Sequence, residues 1–287
     1  MRTLAQRDPS AASRPDAPIG VFDSGVGGLS ILKALRQELP HEDFVYLADD
    51  GYAPYGERPS AFVRERAHRL TEALLNVAGG LKALVVACNT ATAAAIGSLR
   101  DGHPELPIVG VEPALKPAVT LSRTQRIGVM ATRGTLASAK FAQLLGSLQA
   151  QAHFVCQPCD GLADAIERDD APLIEALCAR YISAMGPFGT QSDNMDTLVL
   201  GCTHYPFAQP VLQELVGPEV TLVSTGVPVA LQTRRRLQRL QPDSHSGGLR
   251  CYATGHGTAL QAALRRWLML DTPVEPLAPW APCRGSG

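Results

Sequence analysis

The sequence predicts an α/β fold of two similar halves, each with a mainly parallel sheet. Short apolar runs alternate with helical patterns along most of the 287 residues, as in successive βαβ units. Two strand-and-turn segments also recur. Ile19-Gly-Val-Phe-Asp-Ser24 resembles Ile127-Gly-Val-Met-Ala-Thr132, and the run ending in Cys88 resembles the run ending in Cys202, in the same order and at nearly the same spacing. Each cysteine follows a continuous apolar run, as expected of a strand buried on both faces. It therefore sits at the carboxyl end of its strand, where open α/β sheets place their ligands. These features predict two Rossmann-like or flavodoxin-like domains with the active site in the cleft between them.

Residues 1–17 are rich in Ala, Ser, Pro, Asp and Arg without an apolar period, which predicts a disordered lead-in. Strands are predicted at 18–23, 44–48, 83–87, 107–111, 126–131, 152–155, 197–201, 220–223 and 250–253. Helices are predicted at about 28–38, 59–78, 90–100, 135–149, 161–168, 172–186, 207–216, 227–240 and 257–269. The first domain is expected to span 18–112 and to be completed by 223–270. The second spans 113–222, with the boundary near Glu112 and Pro113, where a strand-like run stops. Residues 271–287 carry too many prolines for a helix or an inner strand and read as an extended tail.

Hydrophobic residues make up 45% of the chain and charged residues 18%, enough apolar surface for a globular core. A net charge of −1 gives no whole-chain attraction for nucleic acid or an anionic membrane. No apolar stretch approaches the ~20 residues of a membrane span, and the start lacks the apolar segment of a secretory signal. Seven cysteines without an export signal read as reduced thiols in the cytoplasm.

The candidate chemistry lies at the strand ends. Asp23-Ser-Gly-Val-Gly-Gly28 follows a strand and opens a helix. Its glycines permit positive φ and close backbone approach, and helix-start N–H groups attract an anion. Ser30 stands where a dinucleotide fingerprint needs its last glycine, and an acidic residue leading the turn would repel a pyrophosphate. An amino acid fits better: the amides receive its carboxylate, and Asp23 meets its ammonium or assists proton transfer.

Cys88-Asn89-Thr90 and Cys202-Thr203-His204 are the strongest candidates. A thiol's pKa falls at a helix N-terminus or near a cation, and His204 could orient or activate the second thiol. Cys156-Gln-Pro-Cys159 has redox-motif spacing, but Pro158 and Asp160 suggest a turn rather than the start of a helix. Cys178, Cys251 and Cys283 read as structural.

Phe22-Asp-Ser-Gly-Val-Gly-Gly-Leu29, Pro54-Tyr-Gly56, Ala87-Cys-Asn-Thr90 and Leu200-Gly-Cys-Thr-His-Tyr-Pro206 occur in this order. The set resembles the glutamate racemase family of the cofactor-independent aspartate/glutamate racemase superfamily, from about Ile19 to Thr254. The resemblance implies that Cys88 and Cys202 are two catalytic acid/bases, assisted by Asp23, His204 and Glu167. It further implies a pocket lined by Asp23, Ser24, Tyr55, Gly56, Asn89, Thr90, Thr203 and His204, with Thr132 and Thr135 on its wall. The loop Asp49-Asp-Gly-Tyr-Ala-Pro-Tyr-Gly56 departs from the family's usual sequence. So does Ser224-Thr-Gly226, which lacks the acid often found there.

By that resemblance the substrate is glutamate, interconverted between L and D forms to supply D-glutamate for peptidoglycan, with room for a homodimer. Two acid/bases suit a reaction that takes a proton from one face of a carbon and returns it to the other. This scheme needs no cofactor. Pyridoxal phosphate would require a Schiff-base lysine, and Lys33, Lys82, Lys116 and Lys140 have no convincing setting for one. Racemases of aspartate or hydantoin, and a non-catalytic amino-acid-binding protein, remain open from the residues alone.

Overall fold

A computed structural model describes residues 16–237, 240–242 and 244–277. Most of the expected lead-in, the end of the tail with Cys283, and residues 238–239 and 243 lie outside the described residues. Ala17, expected in the lead-in, is buried.

Strands β1 (Ile19–Asp23), β2 (Phe44–Ala48), β3 (Ala83–Val86) and β4 (Ile108–Gly110) lie in the order β2-β1-β3-β4. Strands β5 (Arg126–Ala131), β6 (His153–Pro158), β7 (Thr197–Leu200) and β8 (Thr221–Val223) lie in the order β6-β5-β7-β8. The two sets have the same topology, so β1 is the counterpart of β5, and β3 of β7. The chain then returns to the first sheet, adding β9 (Leu249–Ala253) beside β2 and β10 (Val274–Pro276) at the edge. Every pairing is parallel.

Helices cover both faces of each sheet, and this accounts for the unbroken apolar strands. In β1, Ile19 and Val21 enter one hydrophobic cluster while Phe22 enters another. In the second sheet Leu198 and Val199 of β7 divide in the same way. Alternate side chains of a strand point to opposite faces, so a strand covered on both must be apolar throughout.

Helix ends follow local chemistry. Asp170 caps Ala171–Met185 by accepting the Leu173 N–H at 3.2 Å. Gly79, left-handed at φ 68°, ends Ser60–Ala78.

All nine predicted strands are present, with four differences in detail. Residues 115–121 form a helix that was not predicted; its Pro117 lies in the first turn, where proline is tolerated. The predicted helix 135–149 breaks at Ser138, whose hydroxyl caps a new helix through the Phe141 N–H at 3.1 Å. Strand β6 runs through Cys156 to Pro158, where a turn was expected. Residues 274–276 of the expected tail form β10, and both of these strands lie at sheet edges, where proline breaks no interior ladder. Helix Gly226–Arg236, which follows β8, packs on Leu29–Glu38 and so carries the chain back to the first sheet.

No helix among the described residues is long and apolar enough to cross a membrane.

Candidate active site

Asp23 ends β1 with a carboxylate that is fully buried. Its Oδ1 accepts the Ser24 hydroxyl at 3.1 Å and the Gly25 N–H at 2.9 Å. Its Oδ2 accepts the Thr203 hydroxyl, from the other half of the molecule, at 2.9 Å. Burial pushes the Asp23 pKa up to about 6, against the opposing pull of His204 and the bonds from Gly25 and Thr203.

The next residue but two links the halves again. The Val26 N–H donates to both oxygens of Glu167, at 3.1 and 2.9 Å. Glu167 Oε2 lies 2.8 Å from His204 Nε2, and His204 Nδ1 lies 3.7 Å from Cys202 Sγ. A continuous polar chain therefore runs from the glycine loop through a carboxylate and an imidazole to the second thiol. Burial alone would lower the His204 pKa, but Cys202 and Glu167 outweigh it and hold the ring well above its ordinary value.

Close approach explains the glycines. A methyl group at Gly25 would land on the Glu167 carboxylate, and one at Gly27 on the His204 ring. Neither residue has positive φ, so of the two freedoms that glycine permits here, only close approach is used. The amides of this turn were expected to receive a substrate carboxylate; those of residues 25 and 26 are bonded to Asp23 and Glu167.

Cys88 follows β3 and caps the helix Asn89–Gly102, its sulfur accepting the Ala91 N–H at 3.5 Å. The sequence reading expected that helix start to lower its pKa. Instead burial, then the negative charge of Asp23, hold the thiol well above its ordinary value, only partly opposed by Ala91 and Ser24. A single weak N–H bond does not offset desolvation of a thiolate.

Beside Cys88, both amide atoms of Asn89 are buried without a hydrogen-bond partner, an arrangement that costs free energy unless a ligand or water completes it. Thr90 Oγ1, beyond the first sheet, lies 3.0 Å from Thr132 Oγ1, beyond the second, and the Thr132 hydroxyl donates to Thr135 Oγ1 at 2.9 Å. Tyr55, expected to line the pocket, is almost fully buried and turns its hydroxyl onto Asp49. The Gly56 carbonyl accepts the Gly134 N–H at 3.0 Å, a contact between the two halves.

The contacts of two residues escaped the sequence reading. Tyr46, in an apolar strand that offers no polar signal, donates to the Gly25 carbonyl at 2.7 Å. Ser30 donates to the Gly27 carbonyl at 2.9 Å and to the Thr203 carbonyl at 2.8 Å. Its place in a glycine-rich fingerprint was the available clue.

Other candidates fall away from the site. Cys156 and Cys159 pack in different hydrophobic clusters on the two faces of the second sheet, which removes the geometry of a dithiol pair. Lys82 is buried against Glu42. No group of three or more His, Cys, Asp or Glu among the described residues is arranged to hold a metal.

Fold and site together define a two-lobed α/β protein with one thiol at the matched strand end of each lobe and carboxylates and an imidazole around them. The Asp/Glu/Hydantoin racemase family model matches residues 19–232, and the chain belongs to that family. It is 46% identical over 256 residues to the glutamate racemase of Ectopseudomonas mendocina, covering 88% of this chain and 95% of that one. Among solved structures, a glutamate racemase isoform from Bacillus anthracis is similar with a TM-score of 0.80 and 29% identity, covering 92% of this chain and 98% of that one. The Escherichia coli glutamate racemase in complex with L-glutamate and an activator gives 0.77 and 28%, covering 91% and 98%.

Proposed function

We propose that this isomerase interconverts L- and D-glutamate by a two-thiol mechanism, supplying D-glutamate for peptidoglycan. The observation that carries the proposal is the equivalence of Cys88 and Cys202, which end counterpart strands β3 and β7 of two sheets with the same topology. A substrate held between them presents opposite faces of Cα to the two sulfurs. One thiolate removes the α-proton and the other thiol returns a proton to the far face, with the roles exchanged for the other enantiomer.

The α-proton of an amino acid is a weak acid, so the site must stabilise the developing negative charge. Asn89, Thr90, Ser24 and Thr203 are positioned to supply hydrogen bonds to the substrate. His204, held protonated between Glu167 and Cys202, can supply charge and a proton on the second sulfur's side. Asp23 provides a carboxylate on the first sulfur's side. The Val26–Glu167 and Asp23–Thr203 bonds draw the two halves together and keep water out of the reaction. Glutamate as the substrate rests on the similarity to glutamate racemases, including the Escherichia coli structure that holds L-glutamate.

The test is incubation with L- or D-glutamate in D2O without added cofactor. The expected result is loss of the α-proton and appearance of the opposite enantiomer from either starting material. Absence of both from both enantiomers would refute the proposal.

A further inference from the structure

Asp49 follows β2 directly, and its N–H donates to the Asp23 carbonyl at 3.0 Å. Its carboxylate is fully buried and gathers four donors from three segments. Arg66, on helix Ser60–Ala78, approaches both oxygens, Nη2 to Oδ1 at 2.6 Å and Nε to Oδ2 at 2.9 Å. Thr254, just past β9, donates to Oδ1 at 2.8 Å, and the Tyr55 hydroxyl donates to Oδ2.

The intervening loop is fastened to the same cluster. The Gly51 N–H donates to Thr254 Oγ1 at 3.3 Å, and the Arg66 guanidinium stacks 3.6 Å from the centre of the Tyr52 ring. Residues 51, 52 and 55 are thus all held from below. Gly56 then carries the loop to the opposite half, through its carbonyl to the Gly134 N–H and through close contact with Thr132. Thr132 bonds Thr90, two residues from Cys88.

We infer that Asp49 is a positioning residue: through Tyr55 it sets where Gly56 meets the Thr132–Gly134 wall, and so fixes one side of the substrate pocket. A buried ion pair with a full set of hydrogen bonds contributes more to a defined geometry than to stability. That is what a short loop at a pocket rim requires. Burial and the Asp49 charge hold the Tyr55 phenol well above its ordinary pKa, so it remains a donor throughout the working range.

The kinetic arm of the test rests on the proposed glutamate racemisation; the exchange arm does not. Wild type, Asp49→Asn, Tyr55→Phe and the double variant are compared by KM and kcat for both enantiomers and by amide hydrogen exchange. The expected result is a KM raised about tenfold or more in each single variant with a much smaller change in kcat, because a misplaced contact weakens productive binding. The double variant should be little worse than Asp49→Asn, since both changes cut one path. Exchange should quicken at residues 50–58 and at the Gly134 amide, while the β3 and β7 amides stay protected.

An unchanged KM in active variants, additive effects, or exchange that quickens everywhere or nowhere would overturn the inference. Tyr55→Phe deletes one oxygen and keeps the ring, so it reads the path even if Asp49→Asn fails to fold. Wild-type protein without racemase activity would sink the functional proposal, and local exchange would then decide this one alone.

Discussion

Cys88 and Cys202 occupy the same place in two sheets of the same strand order, yet their surroundings differ in sign. Cys88 is buried and feels the carboxylate of Asp23, both of which favour the neutral thiol and outweigh its weak capping bond from the Ala91 N–H. Cys202 opens onto a short 3-10 turn, Tyr205–Ala208, and lies beside His204, an imidazole whose pKa Cys202 and Glu167 together hold well above its ordinary value. Repeating a fold repeats the position of a strand end but not its electrostatics, which come from whichever loops converge there. The proposed two-thiol mechanism gives the two sulfurs opposite tasks in each direction, and unequal surroundings suit unequal tasks.

The sharpest way to break the comparison is to remove each sulfur in turn. Cys88→Ala and Cys202→Ala should each lose racemisation by about 10³-fold or more, at the upper end of what one acid–base group contributes. In D2O each variant should retain α-proton exchange from one enantiomer only, and the two should differ in which one. Exchange of the same enantiomer by both variants would mean the thiols do not face opposite sides of Cα.

A smaller loss is expected at the histidine. His204→Asn should lower kcat by about 10²-fold, with the larger loss of exchange in the enantiomer that Cys202 deprotonates. Equal losses for both enantiomers would show that His204 serves the whole site rather than one sulfur.

The smallest effect concerns Asp23. Its pKa of about 6 lies above its ordinary 3.8, so the folded protein binds this proton more tightly than the unfolded chain. Its contribution therefore favours the fold below pH 4, and is lost by about 3 kcal/mol as pH rises to about 6. The acid limb of kcat/KM should fall near pH 6 as Asp23 takes up its proton. Asp23→Asn should abolish both that limb and this part of the stability profile. A limb that survives unchanged belongs to another group.

Much of the fold was legible because buried parallel strands must be apolar on both faces, and that leaves a signal in every strand from Ile19 to Ala253. Helix Leu115–Leu121 was not predicted, and strand β10 was missed because the prolines of the tail argue against an inner strand, whereas β10 lies at a sheet edge that tolerates them. The residues around the thiols were legible as types: Asp23, Asn89, Thr203 and His204 stand beside the strand ends in the sequence itself. Their partners were not. Tyr55 pointed to a pocket in the sequence, yet it bonds Asp49. The glycines at 25 and 27 suggested an anion-binding loop, yet they make room for Glu167 and His204.

By itself the sequence determined that two cysteines end equivalent strands, because hydrophobic periodicity and short motifs are local properties of the chain. Only the tertiary structure decided that Glu167, 141 residues from Val26, closes onto its amide, and that one thiol meets an anion while the other meets a cation. Those outcomes depend on desolvation and on charges brought within a few ångströms by folding, and no local stretch of sequence encodes them.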